Sequence, residues 1–350
     1  MNIKKYQDIT YTQIPTFFVG PYLINGSIID KEEVMIPFAT YETTIWPSAN
    51  RGARVTYLSG GINTEVLSSN MTRSVSFKAD SLNDCLNFEK WINSNFSKFK
   101  ELCSSQSRFA TLNSINCNII GNNIFIRLEI DPADASGHNM VTKFAEHFVF
   151  YVKENYTDDK IKYLSLSGNF CTDKKVSAVN ALNGRGKKCI SECLIPQRIV
   201  ERLLKTDVQK VVDLNINKNY LGSITSGSLL SANAHVANTL LATFLATGQD
   251  AANIVEGSQA ITTMENINGD LYISTTIPNL IVGTVGNGKA SEGIINNLDS
   301  LACRDAIEKS TNSKRLAAII SSAVLSTELS LLCALTNPAE LMSGHLKYER

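Results

Sequence analysis

A serine, an amide, an acid and two adjacent lysines are gathered in Ser167-Gly168-Asn169-Phe170-Cys171-Thr172-Asp173-Lys174-Lys175. The stretch lacks apolar bulk and has no helical or strand period, so it reads as a loop. Two neighbouring ammonium groups repel, so at least one needs a carboxylate or an anionic ligand beside it. A lysine held in this way can stabilise a negative oxygen that develops during a reaction. An isolated Asp-Lys-Lys is ordinarily a solvated surface loop, so the chemistry depends on what else the chain supplies.

Three further groups could move or hold a proton. Glu42 sits in the uncharged segment Tyr41-Glu42-Thr43-Thr44-Ile45. A carboxyl with few polar neighbours stays protonated to higher pH, as a proton donor must; the plainer alternative is a strand-edge glutamate facing water. Asp250 follows the apolar run ending in Leu245-Ala246-Thr247-Gly248-Gln249, where Gly248 is a natural helix stop. An acid just past a helix C-terminus opposes the helix dipole and calls for a cation, a lysine being the obvious partner; alternatively it is an ordinary loop aspartate. His345 carries the group best suited to proton transfer near neutral pH, although a histidine this close to the C-terminus is usually only solvated. His138, His147 and His235 have plainer explanations. The basic candidates are Arg73, Arg108, Lys174, Lys175 and Lys218, and Ser107-Arg108-Phe109 pairs a hydroxyl with a guanidinium, which suits a phosphate. Gly283-Thr284-Val285-Gly286-Asn287-Gly288 lets backbone approach a ligand closely, but it does not open a helix as a Rossmann fingerprint does.

The chain that must position these groups has 350 residues, 43% hydrophobic and 19% charged, with 33 basic and 33 acidic side chains. That is the composition of a folded globular protein, and no basic field argues for nucleic acid. The 8 cysteines form no C-x-x-C pair and no cysteine–histidine metal spacing, so free thiols and no metal site are expected. Met1 to Tyr6 lacks an apolar signal core. Leu316 to Leu335 approaches spanning length but carries Glu328 and four serines, so it reads as a buried core helix rather than a membrane span.

Up to about residue 73, Phe17–Val19, Val34–Ile36 and Val55–Leu58 read as strands. Ser81 to Phe99 reads as a helix, and Cys117–Ile120, a Gly121-Asn122-Asn123 turn and Ile124–Ile130 as a hairpin. In the second arm Ile126, Leu128 and Ile130 alternate with Phe125, Arg127 and Glu129, the pattern of a half-buried strand. A helix over 139–153 completes a small α+β unit of roughly residues 75–165. From 174 to 334 the chain reads as mostly helical (196–204, 232–246, 316–335), with a strand at Leu271–Thr276. The fold class expected is therefore α+β, a larger domain of residues 1–74 and 166–350 split by a small inserted domain of residues 75–165.

The loop Ser167–Lys175 closely resembles the lysine loop of the 3-hydroxy-3-methylglutaryl-coenzyme A (HMG-CoA) reductases, and other segments match that family in order. Glu42 through Gly52 resembles its E-G-x-x-x-A-S-x-N-R-G, Met71-Thr72-Arg73 its M-T-R, and Ser107-Arg108-Phe109 its S-R-F. Asp134 to Met140 resembles its D-A-M-G-M-N-M. Gly184-Arg185-Gly186-Lys187, Asn215–Asn219, Asn233–Asn238, Ala246–Asp250, Asp270–Ser274, Gly283–Gly286, Glu328–Leu331 and the terminal histidine follow.

The resemblance implies an oxidoreductase in which a thioester takes one hydride to a hemithioacetal, collapses to an aldehyde, and takes a second hydride to the alcohol, mevalonate. It implies that Lys174 holds the oxyanion, Glu42 donates a proton to the aldehyde oxygen, Asp250 bridges Glu42 and Lys174, and His345 protonates the departing CoA thiolate. Arg73, Ser167, Asp173, Lys175, Lys218 and Asn238 would grip the substrate's carboxylate and hydroxyl, with Asn50, Arg51 and Arg54 near CoA. Ser107, Arg108 and Phe109 favour a cofactor with a 2′-phosphate, hence NADPH rather than NADH, and Asp134, Asn139, Val285 and Gly286 would also touch it. The resemblance further implies a ferredoxin-like small domain that binds the dinucleotide, a mostly helical large domain for CoA and substrate, a homodimer or homotetramer with its active site between subunits, and a soluble, cytoplasmic protein.

Some residues depart from the family pattern. The family's E-N-x-x-G element is not found ahead of Val19-Gly20-Pro21. Trp46-Pro47 replaces smaller residues after Glu42, and Ala133, Ser136 and His138 replace a glycine and two methionines. Gly227-Ser228-Leu229-Leu230-Ser231 stands for a glycine-rich run, and Asn287 interrupts another. They leave open a diverged reductase of another 3-hydroxyacyl thioester. A non-catalytic member of the family is the third reading, opposed by the retention of Glu42, Lys174, Asp250 and His345.

Overall fold

The computed structural model describes Thr10, residues 12–338, Glu340, Met342 and Leu346. Among these residues nine strands form two sheets that share one strand. The strands are β1 (Thr16–Asn25), β2 (Glu32–Ala39), β3 (Ile62–Ala79), β4 (Thr111–Ile120), β5 (Asn123–Asp131), β6 (Ile161–Ser165), β7 (Gly186–Ile195), β8 (Ile261–Ile267) and β9 (Asp270–Leu280). The first sheet has the order β2-β1-β3-β7-β9-β8; β3 runs parallel to β1, and the other neighbours are antiparallel. The second sheet is antiparallel, in the order β4-β5-β3-β6. The 18-residue β3 pairs with β7 through Asn63–Asn70 and with β5 through Met71–Lys78, so it crosses from one sheet to the other at Asn70-Met71.

Each sheet has its own apolar core. In the second, Val141, Phe144, Ala145, Phe148, Val149 and Val152 make one buried stripe on the helix His138–Asn155, at the three-to-four-residue spacing that a helix requires. This stripe meets rings from the helical segment before β4, Phe99 lying 4.6 Å from Phe148 between centroids. That segment is two helices, Leu82–Ser94 and Phe96–Gln106, where the sequence suggests one over Ser81–Phe99; they meet at Asn95, whose side-chain amide donates to the Trp91 carbonyl at 2.8 Å. Ser81 caps the first of them, its oxygen accepting the Asp84 N–H at 3.3 Å.

The first core is built around the helix Thr311–Leu335, which packs on β3, β7, β9 and the helices Ile45–Leu58 and Val236–Ala246. It is buried on all sides, and that is possible only because its polar side chains find partners inside the protein. Ser322 bonds Thr64 at 2.8 Å, Ser321 bonds Ser191 at 2.7 Å, and Thr327 bonds Thr239 at 2.7 Å. Glu328 accepts the backbone N–H groups of Ala234 and His235 at 2.8 and 2.7 Å and the Thr262 hydroxyl at 2.9 Å. It is the one helix among the described residues long and apolar enough to cross a bilayer, and its packing is that of a core helix, as its serines and glutamate suggest. Ile45–Leu58 crosses it so closely that a Cβ on Gly52 would lie 2.1 Å from the Ser326 carbonyl oxygen.

Three local readings change. Val55–Leu58, strand-like by composition, is the last turn of the helix Ile45–Leu58; the buried series Ala49, Gly52, Ala53 and Thr56 carries a helical stripe through it, and packing on Thr311–Leu335 overrides β-propensity. β5 is not half-buried: Arg127 and Glu129, on the face expected to meet water, are themselves buried. Residues 174–334 contain β7 and β8 as well as β9; Lys187, Lys188 and Glu192 mask the alternation in β7, where Lys187 is fully buried and donates to the Val282 carbonyl at 3.1 Å.

Candidate active site around the lysine loop

The loop after β6 cannot hold its shape by local preference. Asn169, Thr172 and Lys174 have φ of +66°, +44° and +57°, values that side-chain-bearing residues seldom adopt. Surrounding groups impose them. Gly168 N–H donates to the Ser74 carbonyl on β3 at 2.6 Å. Asn180 donates to the Cys171 and Thr172 carbonyls at 3.3 and 3.2 Å, and Lys174 N–H donates to Glu256 Oε1 at 3.0 Å. Ser177 ends the loop, its oxygen accepting the Asn180 N–H at 3.3 Å at the start of the helix Ala178–Asn183.

The deepest member of this scaffold is Arg127 on β5. Its guanidinium is fully buried and every arm is used: Nε on Glu129 at 2.7 Å, one terminal nitrogen on Asn180 Oδ1 at 3.0 Å and the Phe170 carbonyl at 3.3 Å, the other on the Gly184 carbonyl at 2.7 Å. A planar, permanently charged group with five fixed donors can join a strand, a loop and a helix in this way; a lysine could not.

At the tip, Lys174 Nζ lies 2.8 Å from Asp250 Oδ2, and both side chains remain accessible, 41% and 46% exposed. The Asp250 hydrogen bond raises the Lys174 pKa, outweighing burial, with the charges of Asp250, Asp173 and Glu256 adding to it. For Asp250, burial pushes upward, but the Lys174 hydrogen bond, the Ala252 N–H and the nearby cations outweigh it and leave the carboxyl below its usual range. The pair is therefore ionic at neutral pH and presents an accessible ammonium. Lys289 joins from the glycine-bearing segment: its ammonium donates to the Gly248 carbonyl, and burial pulls its pKa down to about 8.

Beneath the tip, Asp173 is ion-paired with Arg185 at 2.9 Å, with Arg73 at 4.0 Å and His138 Nε2 at 3.9 Å. Arg73 Nε and His138 Nε2 are buried with no hydrogen-bond partner among the described residues. His138 is held neutral, its pKa pulled to about 4 first by burial and then by the Arg185 charge. Ser167 and Lys175 are exposed on the same loop, and Lys175 Nζ donates to the Asp173 carbonyl at 3.0 Å.

The other expected residues fall into separate groups. Glu42 lies in the turn before Ile45–Leu58 and accepts from Asn238 Nδ2 at 3.3 Å. No hydrogen bond or ion pair between described residues joins this couple to Lys174 and Asp250. Lys218 is exposed on the π-helical turn Asn215–Gly222. Asn50, Arg51 and Arg54 share one helix, but Asn50 Oδ1 accepts the Gly20 N–H at 2.9 Å, and Arg51 is bonded to the Ser330 carbonyl and hydroxyl at 2.6 and 3.0 Å and paired with Glu340. Arg54 alone of the three is exposed. His345 lies outside the described residues.

On the side of the second sheet, Ser107 and Asn139 line a cavity of about 250 Å³ together with Gln106, Met140, Lys143 and Phe144. The Arg108 guanidinium rests over the Phe109 ring, 4.8 Å from its centroid, beside that opening. Asp134 has structural work: its carboxylate accepts the Ser310 and Ser313 N–H groups at 3.2 and 2.8 Å, capping the helix Thr311–Leu335. The Asp134 carbonyl accepts the Thr284 N–H at 2.8 Å, and Ala135 bridges to Val285, which brings the glycine-bearing segment alongside. Gly283 is required there, since a Cβ would meet the Ser136 nitrogen at 2.3 Å, and Gly286 has φ +98°.

The scaffold residues Arg127, Asn180, Arg185 and Glu256 escape a search for chemistry in the sequence. A faint signal existed for two of them: Arg127 and Glu129 lie on one face of a strand as opposite charges, and Arg185 sits between two glycines.

Comparison with known proteins shows what this arrangement is similar to. The sequence profile of the family described as Hydroxymethylglutaryl-coenzyme A reductase matches residues 7–350. The chain is 40% identical over 348 residues to 3-hydroxy-3-methylglutaryl-coenzyme A reductase 1 of Hevea brasiliensis, covering 98% of this chain and 59% of that protein. It is 41% identical over 348 residues to reductase 1 of Dictyostelium discoideum, covering 98% and 62%. The chain thus spans about three-fifths of the length of these relatives. The class II HMG-CoA reductase of Streptococcus pneumoniae, solved bound to NADPH in open conformations, superposes with a TM-score of 0.74 at 18% identity, covering 95% of this chain and 87% of that one. This last likeness is one of fold.

Proposed function

Because the chain belongs to the hydroxymethylglutaryl-coenzyme A reductase family, we propose that it catalyses the two-step, NADPH-dependent reduction of HMG-CoA to mevalonate and free CoA. The observation that carries this reading is the Lys174–Asp250 ion pair at 2.8 Å, exposed on a loop whose every turn is held from beneath. An ammonium fixed before the reaction begins stabilises an oxyanion without reorganising solvent, and that is the largest single term available to such a site.

Lys174 receives the negative oxygen, and Asp250 keeps its ammonium protonated and aimed. Glu42 donates a proton to the aldehyde oxygen, and His345 protonates the CoA thiolate as it leaves. Arg73, Lys175 and Lys218 take the substrate carboxylate, while Ser167, Asp173 and Asn238 take its hydroxyl and fix its orientation. Asn50, Arg51 and Arg54 face CoA, with Arg51 exchanging its Glu340 partner for a CoA phosphate.

When bound, NADPH supplies hydride to the carbonyl carbon. The cavity lined by Ser107, Asn139 and the cation Lys143 takes part of the anionic dinucleotide. Ser107, Arg108 and Phe109 take the 2′-phosphate end, and Asp134, Asn139, Val285 and Gly286 also contact the cofactor.

The small domain of this reading is residues 75–165, inserted into a larger domain of residues 1–74 and 166–350. A ferredoxin-like arrangement is supported by the order β4-β5-β3-β6 and by the helical segments that follow β3 and β5. The site is completed between two subunits of a homodimer or homotetramer. Within one chain no hydrogen bond or ion pair among the described residues joins Glu42–Asn238 to Lys174–Asp250, which is in keeping with this reading. A cytoplasmic location belongs to the same reading.

The test is to count NADPH oxidised per CoA thiol released from HMG-CoA. Two per thiol is the expected result, and no thiol release from HMG-CoA by the folded protein would overturn the reading.

A further inference from the structure

Glu256 is fully buried on the short helix Ile254–Gly257, a few residues beyond Asp250 on the same segment. Three donors converge on its Oε1: the Lys174 backbone N–H at 3.0 Å, an Arg185 nitrogen at 2.9 Å and Asn253 Nδ2 at 3.1 Å. Arg185, itself 1% exposed, carries the link onward to Asp173 at 2.9 Å. The segment Asp250–Glu256 therefore grips Lys174 twice, by its ammonium through Asp250 and by its backbone through Glu256. The second grip bears on the residue whose φ is +57°. An extended or helical Lys174 would draw that N–H away and leave a buried carboxylate one donor short, a loss that offsets the strain of the turn.

We propose that Glu256 is a positioning residue for Lys174: its buried carboxylate locks the left-handed turn that aims the ammonium at the reacting oxygen, and Arg185 ties that lock to Asp173. The proposal rests on the assignment of Lys174 above. Glu256 has no surface from which to touch a substrate, so its effect must pass through the loop. Loss of the lock displaces the ammonium relative to the reacting carbonyl more than it weakens the grip on CoA, so kcat falls while KM changes little.

The experiment uses the full chain as wild type, Glu256→Gln, Glu256→Ala and Lys174→Ala. It reads backbone hydrogen exchange in the peptide spanning residues 168–177, with the helix 138–155 as control, together with kcat and KM for HMG-CoA. Glu256→Gln keeps the size but places an amide N–H where Oε2 has no partner. For Glu256→Gln we expect exchange in 168–177 to rise about tenfold, kcat to fall about tenfold and KM to stay within about threefold, with larger effects in Glu256→Ala. Loop exchange at the wild-type rate in Glu256→Gln overturns the proposal whatever kcat does, and so does a loss expressed only in KM. If Glu256→Ala does not fold, Glu256→Gln decides alone. Full activity in Lys174→Ala refutes the assignment of Lys174 instead, and the exchange data still establish whether Glu256 holds the loop.

Discussion

The lysine loop and the Ser107–Phe109 segment are built on opposite plans. The lysine loop rests on buried charges, with Arg127, Glu129, Arg185 and Glu256 all buried, while Ser167, Asn169, Lys174 and Lys175 on the loop itself are exposed. The Ser107–Phe109 side is an open rim where an arginine lies across an exposed phenylalanine. Charge that must be aimed at a reacting atom is anchored from below, where a low dielectric strengthens each contact. Charge that only recognises a phosphate can remain mobile at the surface, where its partner brings the geometry.

This contrast can be broken most severely at the tip. Lys174→Ala should lower kcat by at least about 10³-fold, since it removes the proposed oxyanion partner, yet leave the melting temperature nearly unchanged because the side chain is exposed. Steady-state rates and a thermal melt check both halves, and an unfolded variant would contradict the division between tip and base. One layer down the effect reverses. Arg127→Ala leaves Glu129 and two carbonyls buried without their donor and should destabilise the fold by about 3–5 kcal/mol, measured by denaturant titration.

A smaller effect tests His138 on the same side. Its folded pKa, about 4, lies below the 6.5 of an unfolded histidine. Between these values the unfolded chain binds a proton that the folded chain refuses, so stability falls as pH drops from about 6.5 to 4. His138→Met should flatten that fall by about 3 kcal/mol at most, read as the difference between wild-type and variant stability curves. A variant whose curve parallels wild type would show that His138 does not titrate in this window. The smallest effect belongs to the rim. Arg108→Ala should raise KM for NADPH about tenfold while leaving NADH turnover and thermal stability as they were, and an equal loss with both cofactors would remove the phosphate role.

How far the sequence carried depended on whether a residue's task is local. The helix His138–Asn155 was legible because a period of apolar residues dictates which face is buried, the β4–β5 hairpin because the Gly121-Asn122-Asn123 turn separates two apolar runs, and the core helix over 316–335 because a long apolar run interrupted by serines and a glutamate suits a buried helix. The lysine loop was legible as chemistry because a carboxylate and two ammonium groups stand side by side. β7 was not, since Lys187 is buried against the rule for its residue type and can be so only because the Val282 carbonyl waits for it. Nor does any local pattern announce that the Asp134 carboxylate caps a helix some 180 positions away.

The amino-acid order by itself determined the family, the Asp-Lys-Lys loop and the need of Asp250 for a cation, because these follow from neighbours along the chain. Only the tertiary structure decided which buried arginine supports the loop, and that Glu256 holds the Lys174 backbone. A buried charge is tolerated solely where distant segments bring partners to it, and no local pattern in the chain encodes that meeting.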